Sequence, residues 1–290
     1  MSSVVTGEAA LAQSTADLIA WATAALEPEE TAARLDAEIL LAFAAGVARS
    51  TLFAYPQRVF EADAEAWFRS AVERRARGEP LAYILGYHEF YSLRLRVTPD
   101  VLVPRADTET LVDTVLDHLD DRPRASVLDV GTGSGAIALA IKQQRPHPRV
   151  TAVDCDPDAL LVAAENAMSL GLDIRFVESN WFAALDGERF DVIVANPPYV
   201  RSDDPHFAGS LRYEPRLALD GGPDGLAAYR VVLAAAPAHL ALGGVLLLEH
   251  GYDQRAPLLE LAGEHGFEPV ALRDDLAGVP RVAVFRSARP

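Results

Sequence analysis

Apolar residues recur at helical spacing through the first part of the chain. Residues 8 to about 77 are rich in alanine, and no alternation typical of strands is sustained there. The larger apolar side chains that return every three or four positions are Leu18, Ile19, Trp21, Leu35, Ile39, Leu40, Trp67, Phe68 and Val72. This pattern predicts a small bundle of short helices, and we expect an N-terminal helical domain over residues 1–85.

The pattern changes to a period of two after this segment. Leu93, Leu95 and Val97 alternate with Arg94 and Arg96, which predicts a half-buried strand. We expect this strand to belong to a β-hairpin over residues 86–103 that joins two domains and ends at Pro104. Asp107 is then placed to cap a helix with the apolar residues Leu111, Val112, Val115, Leu116 and Leu119.

The remainder alternates strands and helices. Strands are predicted at residues 126–130, 149–154, 174–179, 191–195 and 244–250, then near 269–273 and 281–286, with helices that include 135–145 and 157–170. Strands separated by helices predict right-handed crossovers and a parallel sheet. The fold class is therefore α/β, with a second domain over residues 104–290 built on a Rossmann-like sheet.

Composition limits the partners and the location. Of the 290 residues, 26 are Lys or Arg and 42 are Asp or Glu, a net charge of −16 without long blocks of like charge, so we do not expect nucleic acid as a direct substrate. The single cysteine, Cys155, excludes an internal disulfide framework and a multi-thiolate zinc site, and no other metal ligand set stands out. Residues 1–18 carry no Lys or Arg, and Pro237 and His239 interrupt the longest apolar run. We expect a cytoplasmic protein without a targeting segment or membrane association.

A glycine-rich turn follows the first strand of the predicted sheet. The segment LDVGTGSGAIALA places Gly131, Thr132, Gly133, Ser134 and Gly135 between a strand and a helix. Glycines there let the backbone approach a ligand, and Asp154 at the end of the next strand suits both hydroxyls of a ribose. These features predict an adenosine-containing cofactor. The G-x-G-x-G spacing favours S-adenosylmethionine and leaves NAD open.

The segment DVIVANPPYV, residues 191 to 200, ends a predicted buried strand abruptly. Proline cannot continue a central strand, so Asn196 and Tyr199 are expected at the ligand-binding edge of the sheet. The Asn196 carboxamide oxygen and the Pro197 carbonyl can each accept one hydrogen of an –NH₂ group, and Pro198 and Tyr199 complete the site. We expect this motif to orient a planar amide or amine nitrogen toward a methyl sulfonium, so that Asn196 adjoins both substrate and cofactor.

These motifs, with AVDCDPDAL, GGVLLLEHG and the upstream segment EPLAYILGYHEFYSLRLRVTPDVLVPRADTETLV, resemble the HemK/PrmC family of class I S-adenosylmethionine-dependent methyltransferases. The resemblance implies methyl transfer to the side-chain amide N5 of the glutamine in the Gly-Gly-Gln motif of peptide chain release factors, with S-adenosylhomocysteine as product. It also implies that the helical domain recognises the substrate. The sites it implies are Gly131 to Gly135 and Asp154 for the cofactor, Trp181 for the adenine, and Asn196 to Tyr199 for the glutamine.

Other interpretations remain open on the residues alone. An N6-adenine methyltransferase acting on RNA or DNA uses the same acceptor geometry, and an adaptor that binds the cofactor without catalysis is the third hypothesis. Loop 201–225 is equally compatible with substrate recognition and with passive connection. We expect Cys155 to be a packing residue, Glu249 and His250 a satisfied structural pair, and His88 and Glu89 parts of the hairpin.

Overall fold

The computed structural model describes residues 13–26, 32–209 and 211–288. It divides into two compact units, with the boundary between Leu85 and Gly86. Residues 8–12 of the predicted helical stretch lie outside the described residues. So do residues 1–12 of the N-terminal segment without Lys or Arg.

The first unit is helical, as the period of its apolar residues predicts. Its helices are α1 (Thr15–Leu26), α2 (Ala33–Ala44), α3 (Arg49–Ala54), α4 (Ala62–Ala76) and α5 (Leu81–Leu85). Leu18, Leu40, Phe68 and Val72 are buried in one core. Leu35 is an exception to the predicted pattern because its side chain is 41% exposed.

Two buried carboxylates on α2 are paired with arginines in this unit. Asp36 lies 2.8 Å from Arg75 on α4, and Glu38 lies 2.9 Å from Arg49 at the start of α3. Buried charges are tolerated where they are paired in this way. The pairs specify which helices neighbour α2, in addition to the apolar core.

The second unit begins with a two-stranded antiparallel hairpin. Its strands are β1 (Tyr87–Phe90) and β2 (Leu93–Arg96), joined through Tyr91 and Ser92 at φ angles of 50° and 61°. A two-residue turn with positive φ angles matches the twist of a hairpin. Strand β2 ends at Arg96, not at Pro104 as expected, because the ladder ends at the pair Tyr87 and Arg96, beyond which the Val97 N–H adds one hydrogen bond to the Gly86 carbonyl at 3.2 Å.

A seven-stranded sheet forms the centre of this unit. Its strands are β3 (Ser126–Val130), β4 (Arg149–Asp154), β5 (Arg175–Glu178), β6 (Phe190–Ala195), β7 (Leu240–Glu249), β8 (Phe267–Asp274) and β9 (Pro280–Ser287). The order is β5-β4-β3-β6-β7-β9-β8, parallel from β5 to β7, with β9 antiparallel to both of its neighbours. The predicted α/β class is confirmed, and the sheet is parallel as predicted except at β9.

Helices cover both faces of the sheet. They are α6 (Glu109–Leu119), α7 (Ala136–Gln144), α8 (Pro157–Leu170), α9 (Ala227–His239) and α10 (Arg255–Glu264). Successive residues of a strand point to opposite faces, so Val192 and Val194 enter the core with α6 and α7, whereas Ile193 enters the core with α9 and α10. No helix in the described ranges combines the length and the apolar character needed to cross a membrane.

Asp107 does not cap α6 as expected. It lies in a 3-10 turn, Ala106–Thr108, directly before the helix, and no side chain caps the helix N-terminus. The Asp107 carboxylate instead lies 2.6 Å from the Arg281 guanidinium on β9. An ion pair with a distant arginine has therefore replaced the local hydrogen bond that the sequence suggests.

Candidate active site

A cavity of about 380 Å³ opens in the second unit at the carboxyl ends of β3, β4 and β6. Strand order reverses at β3, and in open α/β sheets ligands bind at such a point. Of the residues that the sequence singled out, those lining the cavity are Gly131, Thr132, Gly133, Ser134, Asp154, Trp181, Asn196, Pro197 and Pro198. Gly135 and Tyr199 do not line it.

The glycine-rich turn is held against β4 by backbone hydrogen bonds. The N–H groups of Gly131 and Thr132 both donate to the Val153 carbonyl at 2.9 Å. Gly135 has a φ of +82°, and a Cβ there would lie 3.0 Å from Leu139 Cδ1 and 3.2 Å from Ala163 Cβ. Gly135 is therefore required for close packing of α7 against α8, although it does not face the cavity.

Asp154 connects the turn to the end of β4. One carboxylate oxygen accepts from the Gly133 N–H at 2.9 Å, and the other accepts from the Asp156 N–H at 3.1 Å. Burial raises the pKa of Asp154, and these hydrogen bonds oppose the shift. The oriented carboxylate keeps acceptor capacity toward the cavity, which fits the two hydroxyl donors of a ribose.

Asp129 lies beneath the turn and was missed by the sequence reasoning. Its side chain is 0% exposed, and its Oδ2 accepts from the Thr132 hydroxyl at 2.6 Å and from the Ala138 N–H at 3.2 Å. Its Oδ1 has no hydrogen-bond partner within the described ranges, and burial raises its pKa to about 7. A carboxylate ending a strand just before a G-x-G turn was the available signal in the sequence.

Asn166 on α8 is a second missed residue. Its Oδ1 accepts from the Arg96 N–H at 2.6 Å, and its Nδ2 donates to the Arg96 carbonyl at 3.0 Å and to the Ser134 carbonyl at 2.9 Å. One buried carboxamide thus joins the hairpin to the glycine-rich turn. Nothing in the local pattern of α8 indicates this role.

Trp181 lines the cavity in a strained backbone conformation. Its φ is 55°, a region that residues other than glycine rarely adopt. The Ser179 hydroxyl supports the turn because it donates to the Trp181 carbonyl at 2.9 Å and accepts from the Ala184 N–H at 3.0 Å. Asn180 also lines the cavity beside it. Strain retained at a ligand cavity is consistent with a binding role for Trp181.

The Asn196 to Tyr199 segment follows β6 at the opposite side of the cavity. The half-buried Asn196 donates from Nδ2 to the Thr108 hydroxyl oxygen at 3.2 Å. The Tyr199 carbonyl accepts from Gln254 Nε2 at 3.0 Å, and burial raises the pKa of its phenol. One Nδ2 hydrogen is bound to Thr108, and this orients the carboxamide so that Oδ1 is the acceptor available to a ligand.

Loop 201–225 returns to this segment instead of extending away from it. The Val200 N–H donates to the Leu219 carbonyl at 2.9 Å, and the Gly221 N–H donates to the Val200 carbonyl at 2.7 Å. A Cβ at Gly221 would lie 2.7 Å from Tyr199 Cα, so only glycine fits. Pro215, Leu217 and Ala218 line the cavity. The loop is therefore part of the cavity wall as well as a connection.

Two expectations about residues outside the motifs were wrong. Cys155 is exposed and lines the cavity, so it is not a packing residue. Glu249 and His250 are not a satisfied pair, since Glu249 Oε2 and His250 Nε2 are buried with no hydrogen-bond partner in the part of the chain that the structure describes. His88 and Glu89 lie in β1, as expected.

Comparison with known proteins gives the family context of this cavity. Residues 17–86 match the PrmC N-terminal domain, and residues 106–209 match the methyltransferase small domain. The chain is 49% identical over 257 residues to the release factor glutamine methyltransferase of Burkholderia pseudomallei, covering 86% of this chain and 90% of that protein. It is 47% identical over 270 residues to the one from Xylella fastidiosa, covering 92% and 97%.

A solved structure gives the same fold. The ribosomal protein L11 methylase from Lactobacillus delbrueckii subsp. bulgaricus is similar with a TM-score of 0.50 at 21% identity, covering 67% of this chain and 84% of that chain. At this identity the similarity shows the fold alone. It agrees with the sheet described above.

Proposed function

This chain belongs to the release factor glutamine methyltransferase family, and we propose that it transfers a methyl group from S-adenosylmethionine to a glutamine side chain of peptide chain release factors. The acceptor atom is the amide N5 of the glutamine in the Gly-Gly-Gln motif. The observation that carries this proposal is the orientation of Asn196 at the cavity, with Nδ2 bound to Thr108 and Oδ1 available to an –NH₂ donor.

The cofactor is assigned to the end of the cavity formed by β3 and β4. The residues there fit S-adenosylmethionine. Asp154 is an acceptor suited to ribose hydroxyls, and the turn from Gly131 to Ser134 brings the backbone close to the cavity. Trp181 supplies an aromatic surface suited to an adenine. S-adenosylmethionine supplies an electrophilic methyl group when bound there.

The glutamine is assigned to the end of the cavity formed by β6. Asn196 Oδ1 and the Pro197 carbonyl each accept one hydrogen of the glutamine –NH₂ group, and Pro198 lines the cavity beside the flat amide, whereas Tyr199 does not line it. An amide nitrogen is a weak nucleophile because its lone pair is delocalised into the carbonyl. As the methyl group is transferred, positive charge develops on this nitrogen and both hydrogen bonds strengthen. The site therefore stabilises the transition state more than the bound substrate.

The proton leaves after the methyl group has been transferred. The nitrogen is then strongly acidic, so solvent water can accept the proton and a strong general base is not required. The residues of this chain orient the amide and accept its hydrogens throughout. This division of roles assigns positioning and electrostatic stabilisation to Asn196 and Pro197, and no proton abstraction to either.

The remaining parts of the chain complete the proposal. The N-terminal helical unit contributes to recognition of the release factor, in line with the match of residues 17–86 to the PrmC N-terminal domain. A cytoplasmic location suits the single cysteine of the chain and a substrate that acts in translation. The relatives' names favour glutamine over the exocyclic amine of adenine as the acceptor.

The experiment that tests this proposal is mass spectrometry of purified release factor after incubation with enzyme and S-adenosylmethionine. We expect a mass increase of one methyl group in the peptide that contains the Gly-Gly-Gln motif, located to the glutamine by fragmentation. A release factor with alanine in place of that glutamine is the control and should gain nothing. An unmodified glutamine in the wild-type factor, with cofactor bound by calorimetry, would contradict the proposed substrate.

A further inference from the structure

Glu249 is a buried acid beside the Asn196 to Tyr199 segment. It ends β7, where its side chain is 1% exposed and its Oε2 has no hydrogen-bond partner among the described residues. Ala195 of β6 pairs in register with Leu248 of β7. The residues that follow, Asn196 and Glu249, therefore lie at the same sheet edge and on the same face. A buried carboxyl group with an unpaired atom at this place requires an explanation.

Thr108 connects the two residues. Its side chain is 4% exposed, and its Oγ1 accepts from Asn196 Nδ2 at 3.2 Å. Burial raises the pKa of the Glu249 carboxyl, and hydrogen bonding from the Thr108 and Tyr199 hydroxyls beside it acts in the opposite direction. A threonine hydroxyl has a single proton. If that proton is donated to Glu249, Thr108 can only accept from Asn196.

We propose that Glu249 is a positioning residue that acts through Thr108 to hold the Asn196 carboxamide with its oxygen toward the substrate. This inference rests on the proposed function. The two ends of an asparagine carboxamide are nearly equal in shape, so hydrogen-bond partners decide which end faces a ligand. An ionised Glu249 accepts from Thr108, Thr108 accepts from Asn196 Nδ2, and Asn196 Oδ1 is left for the –NH₂ group.

The chain of hydrogen bonds can reverse when Glu249 is protonated. The carboxylic acid then donates to Thr108, and the Thr108 hydroxyl is released to donate to Asn196 Oδ1. The rotated carboxamide would present Nδ2, a donor, to the donors of the substrate. Protonation of Glu249 would therefore replace the attraction between Asn196 Oδ1 and the glutamine –NH₂ group by a repulsion between two donors. Methyl transfer thus requires Glu249 to be ionised.

The surroundings of Glu249 set where this change occurs. Burial raises its pKa to about 7, and the groups that face it are Arg281 on β9, Asp107 in the turn before α6, and Tyr199. Tyr229 on α9 also lies near, with its hydroxyl donating to the Glu249 carbonyl at 2.9 Å. Arg281 favours the charged form and Asp107 opposes it. The ionised form, and with it kcat, increases with pH through the neutral range.

The test compares steady-state methylation of release factor by the whole enzyme and its variants between about pH 6 and pH 8.5, a range that spans the pKa of Glu249. Glu249→Gln keeps the size of the side chain but can donate as well as accept. We expect its kcat at pH 8 to fall about tenfold, the scale of one hydrogen bond, with an unchanged KM for S-adenosylmethionine. The increase of kcat with pH should also disappear.

Thr108 supplies a second, independent pair of variants. Thr108→Val preserves the shape of the side chain but removes the hydroxyl, and should reproduce the loss of kcat, whereas Thr108→Ser should restore most of it. Matched controls are Glu268→Gln on exposed β8 and Thr114→Val on α6, where the buried hydroxyl donates only to the Thr110 carbonyl. Both controls should retain wild-type kcat and the wild-type pH profile.

The outcomes separate this inference from the proposed function. If wild-type enzyme methylates the glutamine but Glu249→Gln and Thr108→Val keep its kcat and pH profile, the positioning role is wrong. The same conclusion holds if Thr108→Ser fails to restore activity although it folds normally by circular dichroism. If wild-type enzyme itself does not methylate the glutamine, the proposed function is wrong, whatever the variants do.

Discussion

The two ends of the cavity are built in different ways. At the end assigned to the cofactor, Thr132 bonds to Asp129 three positions away and Gly133 bonds to Asp154 over 21 positions, both within the segment from β3 to the end of β4. At the substrate end, Asn196 bonds to Thr108 across 88 positions, and the neighbouring Glu249 comes from another strand. The cofactor end is built mainly within one strand–helix–strand segment, to which Asn166 adds a contact, whereas the substrate end is assembled from side chains of distant segments.

This difference separates the expected effects of mutation. Contacts at the cofactor end are assigned to the ground state of S-adenosylmethionine, so they should contribute mainly to affinity. Contacts at the substrate end are assigned to the nitrogen on which charge develops, so they contribute mainly to kcat. Variants at the two ends should therefore change different kinetic constants.

The largest effect is expected for Asn196→Ala. Removing the acceptor that strengthens in the transition state should lower kcat by about 10²-fold or more, the scale of a lost oxyanion-hole donor. Calorimetry should give a nearly unchanged affinity for S-adenosylmethionine. Wild-type kcat in this variant would exclude the proposed orientation of the glutamine amide.

At the other end, Asp154→Ala should weaken cofactor binding. Losing one charge-assisted hydrogen bond costs about 1 to 3 kcal/mol of binding free energy. We expect a higher Kd for S-adenosylmethionine by calorimetry and little loss of kcat at saturating cofactor. Asp158→Ala, on the exposed first turn of α8, is the matched control. An unchanged Kd for Asp154→Ala would remove the ribose assignment.

A glycine pair tests whether loop 201–225 supports the substrate end. A Cβ at Gly221 would lie 2.7 Å from Tyr199 Cα and 2.8 Å from the Pro198 carbonyl oxygen. Gly221→Ala should lower the free energy of unfolding by about 1 to 3 kcal/mol, as overpacking does, and should lower kcat with it.

The control for Gly221→Ala is Gly263→Ala on α10, where a Cβ meets nothing within 4 Å. It should raise the free energy of unfolding by roughly 0.5 to 1 kcal/mol, because alanine is the better helix residue. Denaturant titration of both variants measures the two shifts. A stable, fully active Gly221→Ala protein would show that the loop does not fix Tyr199.

The smallest expected effect is on the pH dependence of stability. Burial raises the pKa of Glu249 above its ordinary value of 4.5 to about 7. The contribution of Glu249 to stability is therefore fully present below about pH 4.5 and is lost as the pH increases through about 7. Glu249→Gln should narrow the difference in Tm between about pH 5 and pH 8, with the variant at least as stable as wild type at the higher pH. If the variant showed the same difference in Tm between these two pH values as wild type, Glu249 would be ionised over the whole range and its pKa would not be raised.

The contrast between the two ends also explains what could be read from the sequence. The helical first unit, the order of strands and helices, and the glycine-rich turn follow from local periodicity and glycine spacing. The contacts of Thr108 and Asn166 could not be predicted in this way, nor could the position of Glu249 beside Asn196, although Glu249 was expected to form a structural pair, because each of these contacts arises only when separate segments meet. Asp107 illustrates the same limit, since its ion-pair partner, Arg281, lies far away in the sequence.

Methyl transfer from labelled S-adenosylmethionine tests the central claim most directly. Purified release factor, its variant with alanine at the Gly-Gly-Gln glutamine, bulk tRNA, rRNA and DNA would be offered side by side to the wild-type enzyme. We predict label on the wild-type release factor alone. Label on nucleic acid, with none on the release factor, would show that Asn196 and Pro197 receive an adenine amine and would contradict the account.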